Sequence, residues 1–184
     1  MEPVPPAAQV GAPPSASACQ TTDLVLPNDT NTLGNLMGGR LLHLMDVCAA
    51  IAAQRHAART VVTASVDSVD FRGAIRLGEV VAIKAVVNRA FTTSMEVGLT
   101  VWAESPRTGG PRRLCNTAFY TFVAVDDDAR PTAVPPVRPE TDGEHARYHD
   151  AARRRELRLV LSGRLDAAAA PSLRDLLSAV SPSP

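Results

Sequence analysis

After a single helical stretch, four β-rich stretches follow one another with only turns between them, and this order most limits the folds open to the chain. The helical period comes from Leu41, Leu44, Met45, Cys48, Ile51, Ala52 and Arg55, which recur at three- and four-residue spacing. The strands read as Arg59 to Phe71, Glu79 to Phe91, Ser94 to Glu104 and Arg113 to Val125, each rich in β-branched or alternating apolar residues. No crossover helices separate them, which excludes a doubly wound parallel sheet. The economical arrangement is an α+β fold in which an antiparallel sheet curls around one long central helix. A short alternating segment, Thr21 to Leu26, reads as an entering strand.

The strands carry further detail. In the first, Val62, Ala64 and Val66 share one face whereas Val69 and Phe71 belong to the other, and a bulge near Asp67 and Ser68 would reconcile the halves. Glu79 to Phe91 is nearly continuously apolar, as expected of a central strand covered on both faces. Ser94 to Glu104 alternates, with Met95, Val97, Leu99, Val101 and Ala103 inward. Glu96, Thr100, Trp102 and Glu104 then lie outward, on a face that is wet or meets a partner. Gly109-Gly110 marks the last hairpin loop, and Asp126 to Asp128 end the final strand.

A chain of 184 residues holds one domain with tails. The expected division is a disordered Pro/Ala-rich extension over residues 1–20, the domain over 21–135, and a charged C-terminal helix with an Ala/Ser-rich tail over 136–184. That helix spans Glu140 to Leu159, with a shorter one from Pro171 to Val180. Nineteen basic and nineteen acidic residues cancel, so no overall field draws the chain to nucleic acid or to an anionic membrane. The N-terminus has neither a basic n-region nor a continuous apolar run, so no signal peptide and no membrane insertion are expected. Three cysteines without metal-ligand spacing point to a reducing compartment, the cytoplasm. His145 and His149 form an i,i+4 pair with no third ligand, so no metal is expected.

The candidate site lies between Pro27 and His56. Asn28 to Thr32 are residues whose short side chains bond to nearby backbone, and Gly34, Gly38 and Gly39 permit close approach of another group. Asn31 is therefore expected to be held. The helix begins near Gly39, which leaves its first N–H groups pointing at a ligand's anion or polarised oxygen. Asp46 falls off the apolar stripe among Ala49, Ala50 and Ala53. A lone helical aspartate is more often a solvated charge, but the asparagine loop and the Gly-Gly helix start lie immediately upstream. No G-x-S-x-G elbow occurs, which argues against a serine hydrolase. Cys48 sits on the apolar stripe, as an inert core thiol would.

Asp29-Thr30-Asn31, Gly34, Met37-Gly38-Gly39 and Met45-Asp46, followed by Val61-Val62-Thr63, Phe71-Arg72-Gly73, Gly78-Glu79, Thr93 to Val97 and Phe122 to Asp126, form an ordered series. It resembles the signature of hot-dog fold acyl-CoA thioesterases and covers roughly Asp23 to Pro135. The resemblance implies hydrolysis of fatty acyl-CoA to free fatty acid and coenzyme A. Each need of that reaction has a candidate: Asp46 as the base or the carboxylate that positions water, the Gly39 N–H as oxyanion donor, and Asn31, which can accept from the water and donate to the carbonyl, to orient one or both.

Gly38, Arg59, Lys84, Arg89, Thr93 and Ser94 are the candidate contacts to substrate and coenzyme A, the cations lying near strand ends or the helix exit; the Arg153 to Arg155 run reads as part of a solvated terminal helix, with coenzyme A phosphates or a subunit contact as the alternative. No cofactor is implied, because coenzyme A belongs to substrate and product. The family's pairing places Asn31 of one protomer opposite Asp46 of another, in a homodimer at least, with trimers of dimers as the larger assembly. Two alternatives stay open: a non-catalytic acyl-CoA sensor, and an enoyl-CoA hydratase using an Asp46/His43 dyad.

Overall fold

Five strands form one antiparallel sheet in the order β1-β3-β4-β5-β2. They are β1 (Cys19–Leu24), β2 (Thr60–Val66), β3 (Val80–Ala90), β4 (Ser94–Glu104) and β5 (Arg113–Val125). The structure, a computed structural model, describes residues 11–173. The long helix α2 (Gly38–Ala57) touches all five strands, so the sheet wraps around it in the hot-dog arrangement. The chain divides into two units, Met1–Arg138 and Pro139–Pro184. Among the described residues no helix is long and apolar enough to cross a membrane.

The buried face of α2 is Leu41, Met45, Cys48, Ala49, Ala52, Ala53 and His56. Relative to the expected stripe it is rotated toward the alanines near Asp46, leaving Leu44 and Ile51 half-buried and Arg55 exposed against the Ala18 carbonyl. The physical reason is closeness: alanines let the strands approach the helix axis where larger side chains would hold them off. The helix ends at Ala58, which takes the left-handed conformation at φ 49°.

β4 and β5 occupy the expected residues, and Gly109 at φ +62° turns the hairpin between them. β2 differs. It stops at Val66, and its irregularity lies between Thr63 and Ser65, at Ala64, ahead of the expected bulge at Asp67 and Ser68. Thr63 pairs with Phe122 and Val66 with Tyr120, so the inner face of β2 carries Val61, Thr63 and Val66. β2 is an edge strand, and beyond Asp67, whose N–H reaches Phe119 O at 3.0 Å, the chain leaves it.

Glu96 points outward as expected yet is fully buried. A register shift between Val87 and Arg89 swings Asn88 across the strand, and its Nδ2 donates to Glu96 Oε1 at 3.1 Å. Gly98 leaves the room for this, since a Cβ there would stand 2.6 Å from Asn88 Nδ2.

Order begins earlier than residue 21. Ala12 bridges to Val137, a helical turn α1 (Pro14–Ser17) follows, and the buried Ser17 Oγ accepts from Val87 N at 2.9 Å. β1 accordingly starts at Cys19, inside the stretch expected as an extension, while residues 1–10 of that extension lie outside the described residues. After β5 a strap returns over the sheet end through Thr132 N to Ala124 O at 2.9 Å and Arg138 N to Ala12 O at 2.9 Å. In the second unit, α3 (Asp142–Leu161) opens with a capping box between Thr141 and Glu144. The helix expected over 171–180 lies, past residue 173, outside the described residues.

His56 closes the first unit's helix by bonding through Nε2 to Pro135 O on the strap, 2.8 Å away, and it is nearly sealed from solvent. Burial holds its pKa below the usual imidazole range, outweighing the opposing effect of the carbonyl. The unfolded chain takes up this proton below about pH 6.5 while the folded chain resists it, so stability is complete above that pH and declines as pH falls. Urea unfolding between pH 8 and pH 5 is expected to show this decline, and His56→Gln to flatten it.

Candidate active site

Two anchors shape the loop before α2. Asp29 accepts from Leu26 N at 3.2 Å and from Arg40 Nε at 2.9 Å, while its carbonyl accepts from Met37 N at 2.9 Å. Both ends of the loop are thereby tied to the helix start. Asn31 Oδ1 accepts from Leu33 N at 2.9 Å and Asn35 N at 3.2 Å. Asn31 is held, as expected, but its side-chain oxygen is already engaged by the loop's own backbone. The expected role of accepting from water is therefore corrected: the Nδ2 hydrogens are what Asn31 has left to give.

The opposite wall is the segment between β2 and β3. Leu36 N donates to Ile75 O at 2.7 Å, and Leu77 N to Gly34 O at 2.9 Å. Glu79 accepts from Arg76 N at 2.7 Å and pairs with the Arg113 guanidinium, which also reaches Ala74 O at 2.7 Å. A cleft of about 310 Å³ lies between the walls, lined by Asn31, Leu36, Gly38, Leu41, Phe71 and Ile75. The Phe71 ring lies across Gly38, where a Cβ would come within 3.3 Å of it. No side chain caps α2, and the Leu41 N to Met37 O bond at 3.0 Å leaves Gly38, Gly39 and Arg40 N–H unused among the described residues. These donors sit at the positive end of the helix.

Asp46 is half-buried and accepts from Thr63 Oγ1 at 2.8 Å. Thr63 pairs with Phe122 on the inner face of β2, just before the bulge at Ala64. The Asp46 charge also reaches Tyr120: burial, and then that charge, push the phenol up to about 12. His43 is exposed, and its ring makes no bond to Asp46, so the Asp/His dyad of a hydratase is not assembled. Cys48 is likewise unsuited to attack, because burial and the neighbouring Cys19 push its thiol up to about 12.

One protomer does not bring all the candidates together. Asn31 and Gly38 share the cleft, Gly39 is exposed beside it, and Asp46 lies eight residues beyond Gly38, about 12 Å along the axis. Arg59, Arg89, Thr93 and Ser94 gather at the other end of the sheet, where α2 finishes, β2 begins and Ser94 pairs with Val123. The Arg89 guanidinium stands 5.6 Å from the Phe91 ring there. Lys84 departs from its expected place near a strand end: it is mid-strand in β3, exposed on the outer face between Gln20 and Thr100. Among the described residues no group of three or more His, Cys, Asp or Glu side chains is placed to hold a metal. The sequence reading assigned no role to Thr63 or Tyr120. A hydroxyl after a helix is a weak signal, and the phase of a bulged strand decides whether it faces the carboxylate.

A helix enclosed by a curled sheet, with a carboxylate held at its flank and its open N-terminus beside an apolar cleft, defines a hot-dog enzyme rather than a serine or cysteine hydrolase. Residues 33–109 match the thioesterase superfamily. The chain is 43% identical over 133 residues to a Bacillus subtilis protein named an uncharacterized acyl-CoA thioester hydrolase, covering 72% of this chain and 77% of that one. It is 38% identical over 149 residues to acyl-coenzyme A thioesterase 11 of Mus musculus, covering 80% of this chain and 25% of the mouse protein, so it spans about a quarter of that relative. The chain belongs to the thioesterase superfamily, alongside its acyl-CoA hydrolases.

Solved structures agree. An acyl-CoA hydrolase of Staphylococcus aureus in complex with butyryl coenzyme A superposes with TM-score 0.75 at 37% identity, covering 84% of this chain and 95% of that one. A hexameric acyl-CoA thioesterase superposes with TM-score 0.79 at 40% identity, covering 83% and 98%. The S. aureus protein has also been solved with an asparagine, an aspartate or a threonine replaced by alanine, residues 15 and 17 apart in its sequence. Asn31, Asp46 and Thr63 have the same spacing.

The loop's dependence on Asp29 is directly measurable. Asp29→Ala removes the acceptor of Leu26 N and Arg40 Nε, and is expected to cost about 1–2 kcal/mol in urea unfolding.

Proposed function

We propose that the chain hydrolyses fatty acyl-CoA thioesters in an assembly where the cleft of one protomer meets Asp46 and Thr63 of another. One observation carries this reading: Asp46 is fixed by Thr63 yet lies well along the helix from the donors of its own cleft. Two copies related by a two-fold axis bring opposite helix ends toward one another, which supplies the missing partner. Val47 and Val62, apolar and 42% and 47% exposed beside Asp46 and on the β2 edge, give such a copy a surface to cover. The same pairing carries Arg59, Arg89, Thr93 and Ser94 toward the neighbour's cleft as contacts for coenzyme A. The hexameric relative supports a trimer of dimers as the larger assembly. A rat relative named as cytosolic, 34% identical over 137 residues, supports a cytoplasmic location.

In this reading Thr63 occupies Oδ1 of Asp46 and leaves Oδ2 for a water. Asp46 takes a proton from that water as its oxygen bonds to the thioester carbon. The Gly39 N–H and Asn31 Nδ2 receive the charge that gathers on the carbonyl oxygen. The carbon–sulfur bond then breaks, the sulfur takes the proton, and the products are a free acid and coenzyme A. No cofactor or metal enters the step.

Thiol release from butyryl-, octanoyl- and palmitoyl-CoA should fall at least about 100-fold in Asp46→Ala and in Asn31→Ala, with butyryl-CoA binding retained. When the two inactive variants are unfolded, mixed and refolded together, half the dimers are hybrids and each hybrid regains one intact site, so about a quarter of wild-type activity should return. No recovery on mixing would place both groups in one protomer and end the cross-subunit reading.

A further inference from the structure

The register of β2 and β5 brings a second hydroxyl toward Asp46 besides that of Thr63. It precedes the end of α2 at Ala57 by 11 residues, about 16 Å along the helix axis. β2 runs back along the helix from Thr60, and at about 3.3 Å per residue it covers that distance near Ser65 and Val66. Val66 is the residue that pairs with Tyr120 on β5. Thr63, the donor to Asp46, pairs with Phe122 on the same inner face. Thr63 and Tyr120 therefore approach the carboxylate from adjacent strands, at neighbouring levels. The raised phenol agrees with this closeness, because the Asp46 charge contributes to it.

The state of the hydroxyl is informative. Tyr120 is 1% exposed, and its ring fills the core between Val66 and Val97. Its oxygen has no hydrogen-bond partner among the described residues, yet it is not among the side-chain polar atoms sealed without one. A tyrosine serving only as a core ring would normally bury this group against a partner or be replaceable by phenylalanine. Here the ring is packed, while its hydroxyl is not sealed.

We propose that Tyr120 is a positioning residue whose hydroxyl, from the strand beside β2, holds the nucleophilic water against Asp46. Thr63 fixes the carboxylate from one side and Tyr120 fixes the water from the other. This rests on the reading of Asp46 as the group that activates water. Two hydroxyls of different reach then divide the work: the short threonine sets the rotamer of the acid, and the long phenol sets the approach of the oxygen.

Tyr120→Phe removes one oxygen and keeps the packed ring, so the variant should fold with nearly unchanged thermal stability. Its kcat for butyryl-CoA should fall about tenfold, with KM and butyryl-CoA binding unchanged. The chain has two tyrosines, so a Tyr148→Phe background leaves Tyr120 as the single reporter in ¹³Cζ-tyrosine NMR. Asp46→Asn should move that resonance, a readout independent of turnover. Wild-type kcat in Tyr120→Phe alongside an inactive Asp46→Ala would overturn the role of Tyr120 alone, as would a resonance indifferent to Asp46→Asn. Full activity in Asp46→Ala would remove the carboxylate from the reaction and the role of Tyr120 with it.

Discussion

The close approach of the sheet to α2 is the constraint on which the rest of the structure depends. Ala49, Ala52 and Ala53 line the buried face, and their small side chains bring five strands around one helix. A wider helix would hold the strands away, and a threonine on β2 could not reach a carboxylate on the helix with a 2.8 Å bond. Close packing therefore sets more than stability here. It fixes the distance at which polar groups on strand and helix meet.

Bulges then decide which polar groups those are. At Ala64 one extra residue keeps both Thr63 and Val66 on the inner face of β2, opposite Phe122 and Tyr120. At Asn88 another carries an amide over Gly98 to the buried Glu96. The second irregularity buries its polar group with a partner, Asn88 against Glu96, while the first re-phases the β2 edge. The first serves the carboxylate of the site. The second anchors β3 to β4 on the outer face.

These bulges also mark where sequence reading stopped. The clean alternation of Met95, Val97, Leu99, Val101 and Ala103 set β4 residue for residue, and Gly109 set the turn after it. The helix start was legible from Gly38 and Gly39, and the held loop from Asn28 to Thr32. Period-two reasoning cannot locate an extra residue when both candidate faces hold small apolar side chains, as with Val62, Ala64 and Val66. Alternation alone therefore points to a bulge at Asp67 and Ser68 and gives Thr63 no role. Glu96 reads as a solvated charge in any alternating strand, since its burial depends on an amide eight residues away. The direction of Asn31's bonds was equally hidden: whether its oxygen faces ligand or loop depends on two backbone N–H groups that only the folded turn brings near.

The separation of the cleft from the carboxylate follows from the same geometry. A helix offers two different resources, its unpaired N–H groups at the start and side chains along its flank. Asp46 lies more than two turns from the start, so a single helix cannot aim both at one small carbonyl group. Moving the carboxylate into the first turn would place negative charge beside the helix's unpaired N–H donors and compete for them. In the proposed assembly, keeping the two apart on each chain and joining them across a symmetric pair would leave the donors unspent and the acid unopposed. A split site of that kind would let a single central helix provide both functions at full strength.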